Sequence, residues 1–167
     1  RAHWCRTRCT VQHVGSRLCH QLPMIAGGIL LGMPHIAGPL LDERFHPRTF
    51  SWFVAGLAAV ALGLAFSVAA RHRLGGNWSA QVTLKEGHEL VRSGPYALVR
   101  HPIYTGMLLA LIGTAIAIGR WRALAGLVLL SAGLIYKSGV EEKFMRVQFG
   151  EAYVRYSVEV PALIPFL

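Results

Sequence analysis

The chain has 167 residues, 53% of them hydrophobic and 15% charged, and its apolar residues come in long blocks rather than at amphipathic spacing. That excludes an ordinary soluble domain and assigns an integral membrane protein. Seventeen Lys and Arg face eight Asp and Glu, but no basic run is interleaved with aromatic residues as a single-strand binder requires, so no nucleic-acid partner is expected.

The first twenty residues are basic and hold all three cysteines, Cys5, Cys9 and Cys19, with His3, His13 and His20 nearby. The spacing matches no tight zinc-ligand pattern, and no metal site is assigned. The expectation is a mobile cytoplasmic arm over 1–21 with reduced thiols; a transit peptide is the weaker reading, since no clear amphipathic helix is present.

Apolar blocks at 22–41, 52–70, 103–119 and 123–136 predict an all-α fold with about four transmembrane helices. At about 1.5 Å per residue the first two blocks can cross a hydrocarbon core of roughly 30 Å. Pro34 and Pro39 make the first irregular, and His35 between them is read as satisfied by a kinked backbone or a neighbouring helix. The last two blocks, separated only by Arg120, Trp121 and Arg122, read as a tight helical hairpin whose arms barely span. Small residues recur on single faces at Gly56 and Gly63, at Gly106, Ala110 and Gly113, and at Gly126 and Gly133, as close helix packing demands. With the N-terminus inside, only Arg44, Arg48, Arg120 and Arg122 fall in outer turns, which fits the positive-inside rule and puts the 71–101 loop in the cytoplasm. Trp52 and Trp121 then share the outer interface. The chain divides into the 1–21 arm, two spans in 22–70, and a half, 71–167, that carries the chemistry.

In that half, Gly75 and Gly76 break the preceding helix, Ser93, Gly94, Pro95 and Tyr96 form a turn, and Pro102 sits where a helix starts, its missing N–H tolerated there. Arg100 and His101 are thereby held at the mouth of the third apolar helix; snorkelling into headgroups is the bland alternative. Lys137 and Glu141, four apart, share one helical face, and Glu142 follows. An intrahelical pair is one reading. Adjacent carboxylates at a membrane boundary are costly without a cation, however, and the Arg100 and His101 end of the hairpin can supply one. The segment 143–156 mixes apolar residues with Lys143, Arg146 and Arg155 and predicts an interfacial C-terminal helix able to cap the site.

The motifs Leu90-Val91-Arg92-Ser93-Gly94-Pro95-Tyr96, Val99-Arg100-His101-Pro102-Ile103-Tyr104-Thr105-Gly106, Glu141-Glu142, Phe149-Gly150-Glu151-Ala152-Tyr153 and Val160-Pro161-Ala162-Leu163-Ile164-Pro165-Phe166 occur in that order. Together they resemble the isoprenylcysteine carboxyl methyltransferase family over residues 77–167. The resemblance implies a membrane-embedded methyltransferase that uses S-adenosylmethionine at the cytoplasmic face, multi-pass in the bilayer, with a lipophilic acceptor. It implies a cofactor pocket lined by Gln81, His88, Leu90, Val91, Tyr96, His101, Pro102, Tyr104, Glu141 and Glu142, with Glu141 answering the ammonium of the methionine moiety. Lys137, Glu141 and Arg100 are the implied catalytic residues. Lys137 stands where the family usually has Arg, so a carboxylate acceptor keeps a cation but loses a bidentate fork. Methyl transfer needs neither a nucleophilic side chain nor a metal, in keeping with a catalytic half without cysteine. The alternatives are a phospholipid amine N-methyltransferase, whose ammonium Lys137 would repel, and a non-catalytic membrane scaffold.

Overall fold

The structure, a computed structural model, describes residues 14–33, 38–75 and 90–165, and of 14–20 the backbone alone. Gln81, His88, Pro34, His35, Cys5, Cys9, His3 and His13 lie outside the described residues, as do the side chains of Cys19 and His20.

Every regular element among the described residues is helical: α1 (Val14–Gly32), α2 (Gly38–Asp42), α3 (Phe50–Leu74), a 3₁₀ turn (Gly94–Ala97), α4 (Pro102–Ile118), α5 (Trp121–Phe149) and α6 (Glu151–Glu159). The first apolar block is not one helix. Helical backbone begins at Val14, before the block, carries Pro23 inside it and ends at Gly32, two residues short of Pro34. A proline disfavours helix in the residue before it, which accounts for a helix that stops at Gly32 and a non-helical Met33. The last apolar block is not a short arm either. α5 runs for 29 residues, straight through Lys137, Glu141 and Glu142 to Phe149. The expected 143–156 helix is therefore split: Gly150, at φ 51° and ψ −130°, closes α5, and α6 starts afresh at Glu151. That backbone conformation suits glycine, and hydrophobic periodicity on its two sides gave no sign of the break.

By length and composition α3 and α5 can each cross a membrane, while α4 and the Gln21–Gly32 part of α1 are shorter apolar helices. Only 17% of the apolar window of α3 is buried, and Phe53, Val54, Leu57, Leu62, Leu64 and Val68 stand exposed around it. A surface of that kind suits lipid, not water.

Two helix pairs make the body of the molecule. α3 lies along α4 and α1 lies along α5, while α4 and α5 touch less extensively although a short turn joins them. The small-residue faces do the pairing. A Cβ at Gly56 would stand 2.6 Å from the carbonyl oxygen of Gly113, and one at Gly63 would overlap that of Gly106. The antiparallel register 56 to 113 and 63 to 106 repeats every seven residues, two helical turns, so both contacts fall on one seam. Gly126 meets Gly27 in the same way, with a Cβ 2.8 Å from the partner's carbonyl oxygen. Ser67 adds a hydrogen bond, Oγ to the carbonyl of Ile103 at 3.0 Å, at the other end of the α3–α4 seam.

The end carrying Arg120 is tied by polar contacts. Arg122, only 8% exposed in its side chain, donates to Asp42 Oδ1 at 2.8 Å and to the carbonyls of Leu30 and Leu31 at 2.6 and 3.0 Å. It thus satisfies the orphan carbonyls at the end of α1 while fastening α2 to α5. His46, Phe45, Trp52 and Trp121 form a contiguous ring cluster here, which places both tryptophans at the same end of the molecule.

Candidate active site

At the opposite end the start of α4 meets α5 one turn beyond its apolar part. The approach is set by the 90–101 loop. Arg73, in the last turn of α3, grips Ser93 Oγ through Nε and Nη2 at 2.9 and 2.6 Å, and Gly94, at φ 65°, turns the chain into the 3₁₀ segment. Val99 is fully buried and Pro102 opens α4, which fixes Arg100 and His101 between them. The C-terminal tail then lies against this corner. The backbone N–H of Arg100 donates to the carbonyl of Pro161 at 2.8 Å, that of His101 to Ala162 at 3.0 Å, and Thr105 Oγ1 to Leu163 at 2.6 Å.

Arg100 is spent within the protein. Its Nε and Nη2 donate to Glu142 Oε1 at 3.0 and 2.6 Å, and its Nη1 to the carbonyls of Ser157 and Val160 at the end of α6. With side chains 10% and 18% exposed, Arg100 and Glu142 are a largely desolvated pair that joins α4, α5 and α6. The Tyr156 hydroxyl donates a hydrogen bond to the carbonyl of Tyr96 at 2.6 Å, and Tyr153 meets Tyr156 edge-on at 5.9 Å. Both tyrosines are buried, and burial pushes their phenols up to about 12; burial raises that of Tyr96 as well. These rings stay neutral and packed, and Tyr156 serves as a donor.

The remaining groups are less committed. Glu141 accepts the Tyr104 hydroxyl at 2.5 Å, and its other oxygen is 3.8 Å from His101 Nδ1. His101, 9% exposed, stacks on Tyr104 with ring centroids 5.8 Å apart. Its Nε2 is buried and sits 3.4 Å from Glu142 Oε1, close enough to favour that carboxylate but not aligned as a hydrogen bond, and it has no other partner among the described residues. Lys137 does not pair with Glu141 one turn on. Its ammonium lies over the Tyr104 ring, 5.6 Å from the centroid, and among the described residues no carboxylate stands within salt-bridge distance of it.

Of the residues expected to form the site, Arg100, His101, Pro102, Tyr104, Lys137, Glu141 and Glu142 come together, and Tyr96 is buried beneath them. Leu90 and Val91 are half-buried in the non-helical lead into the Gly94 turn. Sequence reasoning gave Tyr153 and Tyr156 only a place in a capping helix and gave no role to Thr105, Ser157 or the 160–163 tail, although the motifs quoted above contained Thr105, Tyr153 and the tail. The cleft lined by Gly38, Pro39, Asp42, Glu43 and Arg120 is at the far end and touches none of this chemistry.

Residues 51–152 match the model of the phospholipid methyltransferase family. The chain belongs to that family. Among curated relatives, the protein-S-isoprenylcysteine O-methyltransferase of Xenopus laevis is 32% identical over 133 residues, 76% of this chain and 46% of the relative. The protein-S-isoprenylcysteine O-methyltransferase B of Arabidopsis thaliana is 29% identical over 121 residues, 70% of this chain and 61% of the relative. The chain thus spans about half the length of the curated relatives it matches. The fold is similar to that of a eukaryotic intramembrane Ras methyltransferase, isoprenylcysteine carboxyl methyltransferase, with a TM-score of 0.64 at 24% identity over 94% of this chain and 55% of that one. The resemblance carried by the motifs and these relatives agree.

Proposed function

We propose that the chain is an S-adenosylmethionine-dependent methyltransferase that works at the cytoplasmic face of a membrane and methylates the carboxylate of a lipidic, prenylcysteine-type acceptor. The observation that carries this reading is the uncompensated Lys137 beside a carboxylate, Glu141, held by a phenol. A cation and an anion that do not neutralise one another suit two ligands of opposite charge. The curated relatives, named for isoprenylcysteine O-methylation, support the same acceptor class.

The donor set fits the cofactor. Glu141 would take the ammonium of its methionine moiety, and the buried His101 Nε2 and the Tyr104 hydroxyl are polar groups at the same mouth. Bound there, the cofactor supplies an electrophilic methyl on a sulfonium. Lys137 draws the acceptor carboxylate, which is already a competent nucleophile when ionised, so no residue has to remove a proton. What the protein must do is align donor and acceptor and keep water out. Arg100 and Glu142 contribute by holding α4, α5, α6 and the tail in one arrangement; we read them as positioning residues, with Leu90, Val91, Gln81, His88 and Tyr96 assigned to the cofactor side by motif.

The family model is described for phospholipid methylation, which makes an amine acceptor the second reading. Lys137 opposes it, since a lysine ammonium repels an ammonium substrate. The orientation rests on charge: the outer turns hold only Arg44, Arg48, Arg120 and Arg122 of the seventeen Lys and Arg, and Arg44, Arg120 and Arg122 lie at the end opposite Arg100 and Lys137.

The experiment is a methylation assay of wild type and Lys137→Ala with a prenylcysteine analogue and with a phosphatidylethanolamine in one detergent. Cofactor affinity is measured in parallel with S-adenosylhomocysteine. Wild type should bind the cofactor product and methylate the carboxylate; Lys137→Ala should raise acceptor KM or lower kcat with cofactor affinity nearly intact. Glu141→Gln should lose cofactor binding while keeping its fold. Wild-type activity on the amine alone, rising in Lys137→Ala, would replace the acceptor class, and absence of cofactor binding would leave a scaffold.

A further inference from the structure

Lys137 and Glu141 occupy positions i and i+4 of α5, where side chains of opposite charge are neighbours. Near a membrane boundary the low dielectric strengthens such an attraction, so pairing is the default. It does not occur. The residue in contact with both is Tyr104, contributed by the first turn of α4: its ring face receives the Lys137 ammonium at 5.6 Å, within cation–π range, and its hydroxyl donates to Glu141 Oε1 at 2.5 Å. The ring is itself held by the stacked His101, whose backbone N–H is fixed by the tail carbonyl of Ala162.

We propose that Tyr104 is a positioning residue that keeps Lys137 and Glu141 from neutralising each other, so that one remains free for an anionic ligand and the other for a cationic one. The idea rests on the reading of the site as a meeting point of a carboxylate acceptor and an ammonium-bearing cofactor only for its catalytic consequence; the separation of the two charges is a property of the protein alone. A smaller aliphatic side chain at 104 opens the way to a direct Lys137–Glu141 ion pair. Both ligands then have to break that pair to bind, and both weaken together. Phenylalanine preserves the ring over which the ammonium sits and removes only the hydroxyl, so it leaves the cation in place and affects the carboxylate side alone.

Two measurements separate this from a merely structural role. The first is the Lys Nζ to Glu Cδ dipolar coupling, followed by isotope-edited magic-angle-spinning spectroscopy on lipid-reconstituted protein. Tyr104→Leu should create a coupling absent from wild type and from Tyr104→Phe, and Tyr104→Leu/Glu141→Gln should abolish it. The second is binding of N-acetyl-S-farnesylcysteine, with its methyl ester as the uncharged control. Tyr104→Leu should weaken the acid by roughly tenfold, and adding Glu141→Gln should restore most of that loss by releasing Lys137, a rescue that a damaged fold would not show. No new coupling in Tyr104→Leu, or the same coupling in Tyr104→Phe, overturns the proposal whatever the binding assays give. A new coupling together with wild-type protein that does not distinguish acid from ester overturns the acceptor assignment and leaves the role of Tyr104 standing.

Discussion

Arg100→Ala should be among the most damaging single substitutions in the molecule. The guanidinium holds Glu142 through two bonds of 2.6 and 3.0 Å in a setting where both side chains are largely buried, and it also serves two carbonyls at the end of α6. Breaking a buried pair from one side leaves an unpaired carboxylate and costs about 3–5 kcal/mol. The carbonyls of Ser157 and Val160 add about 1 kcal/mol between them, at the low end of the usual range, because their residues are only half-buried and water can replace the donor. At roughly 2–4 °C per kcal/mol for a chain of this size, thermal unfolding in detergent should fall by on the order of 10 °C. The comparison that tests the reasoning is Arg100→Met/Glu142→Met. It removes the stranded charge along with its partner and should melt well above Arg100→Ala, because replacing both ions by apolar groups is far less costly than removing one. A single variant within about 2 °C of wild type would refute the strut assigned to Arg100. A double variant no more stable than the single would show that the stranded carboxylate is not the source of the loss.

Gly106→Leu should destabilise by at least about 1–3 kcal/mol, since any Cβ there overlaps Ser67 Oγ and the Gly63 carbonyl of α3; Gly28→Ala, with nothing near its Cβ, should be neutral or slightly stabilising by the same melting assay. Tyr153 and Tyr156 have phenols raised by burial from 10.0 to about 12, so the stability that depends on their neutral forms is complete below pH 10 and is lost as pH rises toward 12. Melts at stepped alkaline pH, read with tyrosinate absorbance, should show that decline with wild type and a smaller one with Tyr153→Phe. A melting temperature flat across that window would contradict the burial of these hydroxyls.

Much of the candidate site is legible in the sequence. Pro102 at the head of an apolar run places Arg100 and His101 at a helix mouth, and Lys137, Glu141 and Glu142 follow the next apolar run at helical spacing, so both clusters were visible as the polar ends of lipid-suited helices. The glycine faces were equally plain, because a seven-residue recurrence of small side chains puts them on one side of any helix. Those properties are local, set by periodicity, chain stiffness and the transfer cost of side chains, and one stretch of sequence suffices to state them. That the Arg100 and His101 end would supply a cation to the adjacent carboxylates was also read from the sequence, but the individual partner each group takes was decided by the tertiary structure. Arg100 chose Glu142 across 42 residues and α6 carbonyls 57 and 60 residues away; Tyr104 reached Glu141 from another helix and left Lys137 without the neighbour its spacing offered. Gly150 ended α5 where the apolar pattern continued, and the tail returned to cover the start of α4. In a poorly solvated corner the strongest available contact wins. Its identity depends on which distant segments the helix seams bring within 3 Å, a condition that no local pattern encodes.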